Sequence, residues 1–168
     1  MPITTVNISR DLKEYIDEVT KQGKNRTRRS LVLEALEKYR TFTMHEWQGP
    51  LYYIRGYRYG WLSRYTLQEI LRTLSKEQAY EVGKRCGRTF RDCCLADLNF
   101  DTTQRDGRKK ALEILMEYGW GKFELDEHRV VVRQPFLTKE VLRGHLEVVL
   151  GTSLSTVETD EDVAIFEF

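Results

Sequence analysis

The sequence predicts an α+β protein of two modules joined by a short linker. β-Branched residues alternate over residues 3–8, and two helical stripes follow up to residue 40. From residue 51 onward the predicted order is helix, helix, hairpin, helix, hairpin, which is typical of helices that cover one face of a small antiparallel sheet. The chain of 168 residues has room for a small N-terminal module and one domain of ordinary size.

The first predicted element is a short strand at residues 3–8. Because successive side chains of a strand point to opposite faces, Val6 and Ile8 share an apolar face, whereas Thr5 and Asn7 lie on a face that can form hydrogen bonds. A lone strand has two unpaired edges, and a module of about forty residues buries too little apolar surface to fold alone. We therefore expect a second copy of the chain to supply an antiparallel partner strand.

Two helices follow this strand. Ser9 can cap the first helix, which ends at Gly23, and Thr27 can cap the second. Each helix carries one apolar stripe, formed by Leu12, Ile16 and Val19 in the first and by Leu31, Val32, Ala35, Leu36 and Tyr39 in the second. Two paired copies would place a two-stranded ribbon over a core of four helices, and such a ribbon fits the DNA major groove.

Residues 3–40 resemble a ribbon-helix-helix domain of the MetJ/Arc/CopG type, through the alternating strand, the Ser9 junction, the Gly23 break and the Thr27-Arg28-Arg29 entry to the second helix. The resemblance implies a homodimer that binds double-stranded DNA at an inverted-repeat operator. It assigns contacts with base edges to Ile3, Thr5 and Asn7, and contacts with phosphates to Arg26, Thr27, Arg28 and Arg29. The side-chain chemistry agrees, since amides pair with adenine and a helix N-terminus attracts phosphate.

The alternative for this module is a dimerisation arm whose arginines are merely solvated. The charge distribution favours DNA binding, because residues 1–40 hold nine Lys and Arg against six Asp and Glu, whereas the rest of the chain holds eighteen against twenty. The net charge of the whole chain is only +1, so any nucleic-acid binding would be local.

Residues 41–50 are predicted to form the linker, because Gly49-Pro50 breaks any helix. Tyrosines, arginines and a tryptophan are interleaved over residues 52–65. This composition occurs in platforms for single-stranded nucleic acid and at the rims of apolar pockets. The pocket or structural interpretation is preferred, because these rings need packing partners.

The second module, residues 51–168, is predicted to alternate between helices and hairpins. Its expected elements are helices at 65–98 with a break and a fresh cap at Ser75, at 109–119 and at 138–151, hairpin strands at 122–125 and 129–133, and two strands around the acidic turn at 160–162. Gly83 and Gly87 lie one turn apart on the long helix. Each costs about 1 kcal/mol relative to Ala, so the pair predicts close packing against another element.

The stretch from Gly83-x-x-x-Gly87 through the Gly119-Trp120-Gly121 turn to Gly144-His145-Leu146-Glu147 resembles a 4-vinyl-reductase-type domain, a small-molecule-binding fold related to sensor modules of some aromatic-responsive regulators. The resemblance implies a pocket between helices and sheet for a small-molecule effector. The expected lining is Tyr53, Tyr57, Trp61, Cys86, Phe90 and Trp120. Zinc-binding members of that family use cysteines near the C-terminus, which residues 156–168 lack, so neither a metal nor another cofactor is expected.

No catalytic constellation is recognisable in the sequence. The chain lacks a nucleophile elbow, a phosphate loop and a dinucleotide fingerprint, and no enzymatic activity is expected. His145 is interpreted as a structural histidine with satisfied hydrogen bonds. Cys86, Cys93 and Cys94 do not form a zinc motif and are predicted to be buried core residues, with a redox or ligand-contacting role as the alternative.

These patterns predict a cytoplasmic, dimeric, sequence-specific DNA-binding transcriptional regulator with a C-terminal sensor domain. No apolar run approaches the ~18 residues of a membrane span, and no signal peptide precedes the strand. Two alternatives remain. In the first, the module belongs to an antitoxin-like protein whose C-terminal domain binds a protein partner; in the second, the C-terminal domain is an enzyme or carrier and the ribbon only dimerises.

Overall fold

The computed structural model describes residues 6–22, 27–47, 52–54, 57–60, 62–160 and 162–168. In these residues the chain is an α+β protein with six α-helices and a small four-stranded antiparallel sheet. It divides into two compact units, residues 1–61 and 62–168. The residues predicted to open the second module, 51–61, therefore belong to the first unit.

The first unit contains helices α1 (Arg10–Gln22) and α2 (Arg28–Thr41). Ser9 Oγ accepts the N–H of Leu12 at 3.3 Å, so α1 begins where the sequence predicts. α2 begins with a capping box, in which Thr27 Oγ1 accepts the N–H of Ser30 at 3.0 Å and Ser30 Oγ accepts the N–H of Thr27 at 2.9 Å. These bonds fix the start of α2, because the first amides of a helix have no acceptor within it.

The predicted ribbon strand is not confirmed. Residues 3–5 lie outside the described part of the chain, and residues 6–9 form neither helix nor strand. A strand whose only partner is a second copy has no ladder to join within a single chain. The ribbon-helix-helix arrangement therefore stays a prediction.

A hairpin that the sequence did not predict lies near the end of the first unit. After a 3₁₀ turn at Met44–Glu46, β1 (Tyr52–Ile54) pairs antiparallel with β2 (Tyr57–Tyr59). Tyrosine is frequent in strands, so the composition of this aromatic stretch is as typical of a strand as of the rim of a pocket.

The second unit contains four helices and the sheet: α3 (Arg64–Arg72), α4 (Lys76–Ala96), α5 (Arg105–Glu117), β3 (Lys122–Leu125), β4 (Arg129–Arg133), α6 (Lys139–Leu150), β5 (Ser155–Thr159) and β6 (Val163–Glu167). Ser75 caps α4 with a capping box, and Gly151 ends α6 in the left-handed conformation, as predicted. α5 begins earlier than its predicted start at Lys109. Gly107 permits this, because a Cβ at that position would lie 1.8 Å from the carbonyl oxygen of Asp101.

The sheet has the strand order β3-β4-β6-β5, and all neighbouring strands are antiparallel. Val132 lies opposite Phe123 on one side and Ala164 on the other, and Val130 lies opposite Phe166. All five side chains are buried in one core with leucines of α5 and α6, which are Leu112, Leu115, Leu142, Leu146 and Leu150. Alternation along the strands therefore provides the apolar face that these helices cover.

Helices α4 and α6 pack through glycines. A Cβ added to Gly83 would lie 2.0 Å from the Val141 carbonyl oxygen, and one added to Gly87 would lie 2.7 Å from the His145 carbonyl oxygen. The two helix backbones are therefore in contact at these positions. This confirms the close packing predicted from the two glycines.

The prediction that all three cysteines are core residues is wrong for Cys86. Cys94 is buried and Cys93 is half-buried, but Cys86 is exposed. The buried face of α4 is formed by Ala79, Gly83, Gly87 and Cys94. At 3.6 residues per turn, position 86 lies at the border of that face.

Candidate functional site

Of the predicted DNA-contacting surface, the structure describes the start of α2 and Asn7. Thr27, Arg28 and Arg29 are exposed in succession at this helix N-terminus, where the first amides and the helix dipole favour an anion. Asn7 is also exposed. The other predicted DNA-contacting residues, Ile3, Thr5 and Arg26, lie outside the described residues.

Thr27 uses its hydroxyl within the helix cap. Its Oγ1 accepts the N–H of Ser30 and also lies 3.2 Å from Ser30 Oγ. The groups that remain to hold a phosphate here are the guanidinium groups of Arg28 and Arg29 and the amides of the first turn.

Arg28 forms an ion pair that links α2 to α1. Its Nε lies 2.7 Å from Oδ1 of Asp17. The Arg28 side chain is 65% exposed, whereas that of Asp17 is 29% exposed. The pair therefore sits at the edge of the contact between the helices, with its guanidinium turned toward solvent.

Both helices of the first unit expose several of their large apolar side chains. No residue of α1 or α2 is buried. The large apolar side chains exposed in the described part of these helices and just before them are Val6, Ile8, Leu12, Tyr15, Val32, Leu33, Leu36 and Tyr39. Single exposed apolar residues are normal, whereas a group on two adjacent helices is typical of an interaction surface.

The second unit contains a buried histidine whose interactions differ from the prediction. His145 on α6 is 1% exposed, and neither ring nitrogen has a hydrogen-bond partner among the described residues. Its ring centroid lies 4.3 Å from that of Trp120 and 5.6 Å from that of Phe90. Burial lowers the pKa of His145 to about 3, so the imidazole is neutral at pH 7. The prediction of satisfied hydrogen bonds is therefore wrong.

The structure brings together only part of the predicted pocket. Phe90 and Trp120 both contact the ring of His145, whereas Cys86 is exposed on α4. The side chains of Tyr53, Tyr57 and Trp61 lie outside the described part of the chain. Three surface clefts of the second unit, of about 490, 740 and 630 Å³, are lined by residues other than His145 and its two aromatic neighbours.

The sequence offered one signal for His145. This signal is its position in α6, where the neighbouring residues Gly144 and Leu146 are both buried. A histidine on such a face is usually paired, so the absence of a partner became visible only in three dimensions.

A polar network beside the α4–α6 crossing also escaped prediction. The Tyr80 hydroxyl donates to Glu147, and Glu147 Oε1 accepts the N–H of Leu154 at 3.1 Å. The guanidinium of Arg143 stacks over the Tyr80 ring at 4.5 Å. The hydrogen bond to Glu147 raises the pKa of Tyr80. This network joins α4, α6 and the residue that precedes β5.

Comparison of the chain with models of known protein families, with characterised proteins and with solved structures finds no match. In the described residues, no helix combines the length and apolar character needed to cross a bilayer. The same residues contain no cluster of three or more His, Cys, Asp or Glu suited to a metal ion. The side chains themselves are therefore the basis for assigning a function.

Proposed function

We propose that this protein is a dimeric, sequence-specific DNA-binding transcriptional regulator. The observation that carries the proposal is the exposure of apolar side chains on both α1 and α2, neither of which buries a single residue. Full burial of a large apolar side chain is worth roughly 1.5–3 kcal/mol. Covering this surface with a second copy therefore supplies the stability that one copy lacks.

In the proposed dimer, residues 3–8 of the two copies pair as a two-stranded ribbon that enters the major groove. Ile3, Thr5 and Asn7 contact base edges, and the N-terminus of each α2 holds a phosphate with Arg26, Arg28 and Arg29. The exposed side chains of Asn7, Arg28 and Arg29 support these roles. The Thr27 hydroxyl acts by capping α2, so its contribution to phosphate binding is indirect.

The second unit is proposed to sense a small molecule. Its supporting observation is the neutral imidazole of His145, which lies beside Trp120 and Phe90 and has no hydrogen-bond partner among the described residues. A neutral imidazole offers one donor and one acceptor, and leaving a buried polar group unpaired costs about 1–3 kcal/mol. A small effector that pairs with both nitrogens would recover this cost.

The DNA-binding proposal is tested by selecting bound sequences from a random pool of DNA duplexes. An enriched inverted repeat, whose affinity falls steeply with salt, is the expected result. A folded dimer that enriches no sequence would show that the first unit only dimerises. Function would then reside in the second unit.

A second candidate, which differs from the antitoxin-like alternative in the surface used, is a protein whose α1 and α2 bind another protein in place of a second copy. The exposed apolar residues of α1 and α2 favour it, since a protein partner would cover them as well as a second copy. Purification from the native host distinguishes the two. A stoichiometric partner that stays bound while the chain itself is monomeric supports this candidate.

A further inference from the structure

The ion pair between Asp17 and Arg28 places a negative charge beside a proposed phosphate-binding group. Asp17 Oδ1 is buried and accepts no well-aligned hydrogen bond among the described residues. The Arg28 guanidinium, at 2.7 Å, is the positive group placed to compensate its charge. An acidic residue at a phosphate site weakens binding unless it performs another task, since it repels the DNA.

The shape of the guanidinium shows what that other task of Asp17 can be. Arginine carries five N–H donors in a planar fork, and Asp17 approaches Nε. Among the described residues no hydrogen bond or ion pair uses the terminal nitrogens, so their donors are open to a second anion, and the Arg28 side chain is exposed over 65% of its surface. An arginine can therefore be held by a carboxylate on one edge while it presents another edge to a phosphate.

We infer that Asp17 is a positioning residue for DNA binding, which holds the Arg28 fork at the N-terminus of α2 so that its terminal nitrogens bind a backbone phosphate. This inference rests on the proposed function. It assigns Asp17 no contact with DNA. Its effect passes through Arg28, which would otherwise sample many side-chain conformations on the exposed surface.

Competition between Asp17 and phosphate for Arg28 would have the opposite effect on DNA affinity from positioning. If Asp17 competed with phosphate for Arg28, removing the carboxylate charge would strengthen DNA binding. If Asp17 positions Arg28, removing that charge weakens binding although the protein becomes more positive. The sign of the change therefore separates the two roles.

The test measures the affinity of Asp17→Asn for the selected duplex over a range of salt concentrations. Loss of one phosphate contact per chain should reduce the magnitude of the salt slope by about 2 for the dimer, because each contact contributes about 0.9. We expect weaker binding at low salt and a flatter slope. Both effects should equal those of Arg28→Ala. The double variant should be no weaker than Arg28→Ala alone, because both changes remove the same contact.

Glu18→Gln is the matched control. It removes one carboxylate charge from the adjacent position of α1, where Glu18 bonds Gln22 within the same helix. This variant should keep the wild-type slope and bind equally or slightly more tightly. Helical content and dimer mass, measured on every variant, show whether each remains folded.

Arg28→Lys keeps the test informative even if Asp17→Asn does not fold. Lysine keeps the charge as a compact ammonium without separate edges, so the carboxylate and the phosphate must compete for the same three donors. It should flatten the salt slope as Arg28→Ala does. Tighter or unchanged binding by Asp17→Asn, or a wild-type slope in Arg28→Lys, overturns the inference. Failure of the wild type to enrich any duplex would instead overturn the proposed function.

Discussion

The stability of the second unit is expected to depend on pH, because the buried imidazole of His145 has no hydrogen-bond partner in the part of the chain that the structure describes. Its pKa falls from 6.5 to about 3 on folding, so between these values the unfolded chain binds one more proton than the folded chain. The free energy of unfolding is therefore highest above pH 6.5 and decreases as the pH falls toward 3. The slope is at most about 1.4 kcal/mol per pH unit. Urea unfolding at pH 6.5 and pH 5 should therefore show wild type losing about 1.5 kcal/mol more than His145→Leu.

His128→Leu serves as the control for this comparison, because His128 is an exposed histidine of the same unit. It measures how much of the pH dependence comes from losing any exposed histidine of this unit. If His145→Leu also keeps the wild-type dependence, then His145 is paired in solution and its description as an unsatisfied group is wrong.

The crossing of α4 and α6 tolerates no side chain at Gly83. An Ala there would place its Cβ 2.0 Å from a backbone oxygen, and backbone cannot move aside as a flexible side chain does. We expect Gly83→Ala to lower the free energy of unfolding by at least about 1–3 kcal/mol, although Ala is the better helix former. Arg88→Ala, at an exposed position of the same helix, should change it by less than about 0.5 kcal/mol. Equal stabilities for the two variants would mean that the helices are farther apart.

The apolar face of α2 is the element on which the proposed dimer depends. Leu36 and Leu95 are equally exposed, at 59%, but Leu36 lies on α2 and Leu95 on α4. Leu36→Glu should dissociate the dimer and abolish DNA binding, because the charge would be buried without a partner. Leu95→Glu should change neither. Sedimentation velocity gives the mass, and a dimeric Leu36→Glu variant would exclude α2 from the interface.

The elements that the sequence predicts well are those set by short-range chemistry. Ser75 and Thr27 cap helices within three residues, and Gly151 ends one through its own φ angle. Both hairpins of the sheet turn on an aspartate, Asp126 or Asp160, that accepts amides two and three residues ahead. Both partners of each such interaction lie within a few residues of each other in the sequence, so the positions of these caps and turns can be predicted.

The features that the sequence did not predict depend on contacts between distant segments. The earlier start of α5 needs the Asp101 backbone beside Gly107, and the exposure of Cys86 follows from which side of α4 meets α6. The same holds for the candidate site. Thr27 and Arg28 were recognisable at a helix N-terminus, but the Asp17 partner of Arg28 arises from how α1 and α2 pack.

At the scale of the whole molecule, the two units have different sources of stability. The second unit buries a continuous core between sheet and helices, whereas α1 and α2 of the first unit bury no residue. If the first unit pairs with a second copy as proposed, its stability should rise with protein concentration. The chain thus joins a unit with a continuous core to a unit whose two helices bury no residue, and this contrast is what supports the proposed dimer.

Titration of the selected duplex and a scrambled duplex with wild type and Asn7→Ala is the decisive comparison. Wild type should prefer the selected duplex, and Asn7→Ala should lose about 1–3 kcal/mol on that duplex alone, with its affinity for scrambled DNA and its salt slope unchanged. That pattern would identify the exposed Asn7 as a base-contacting residue of a sequence-specific regulator. Equal loss on both duplexes would remove Asn7 from that role, and equal affinity of wild type for both duplexes would contradict sequence-specific regulation.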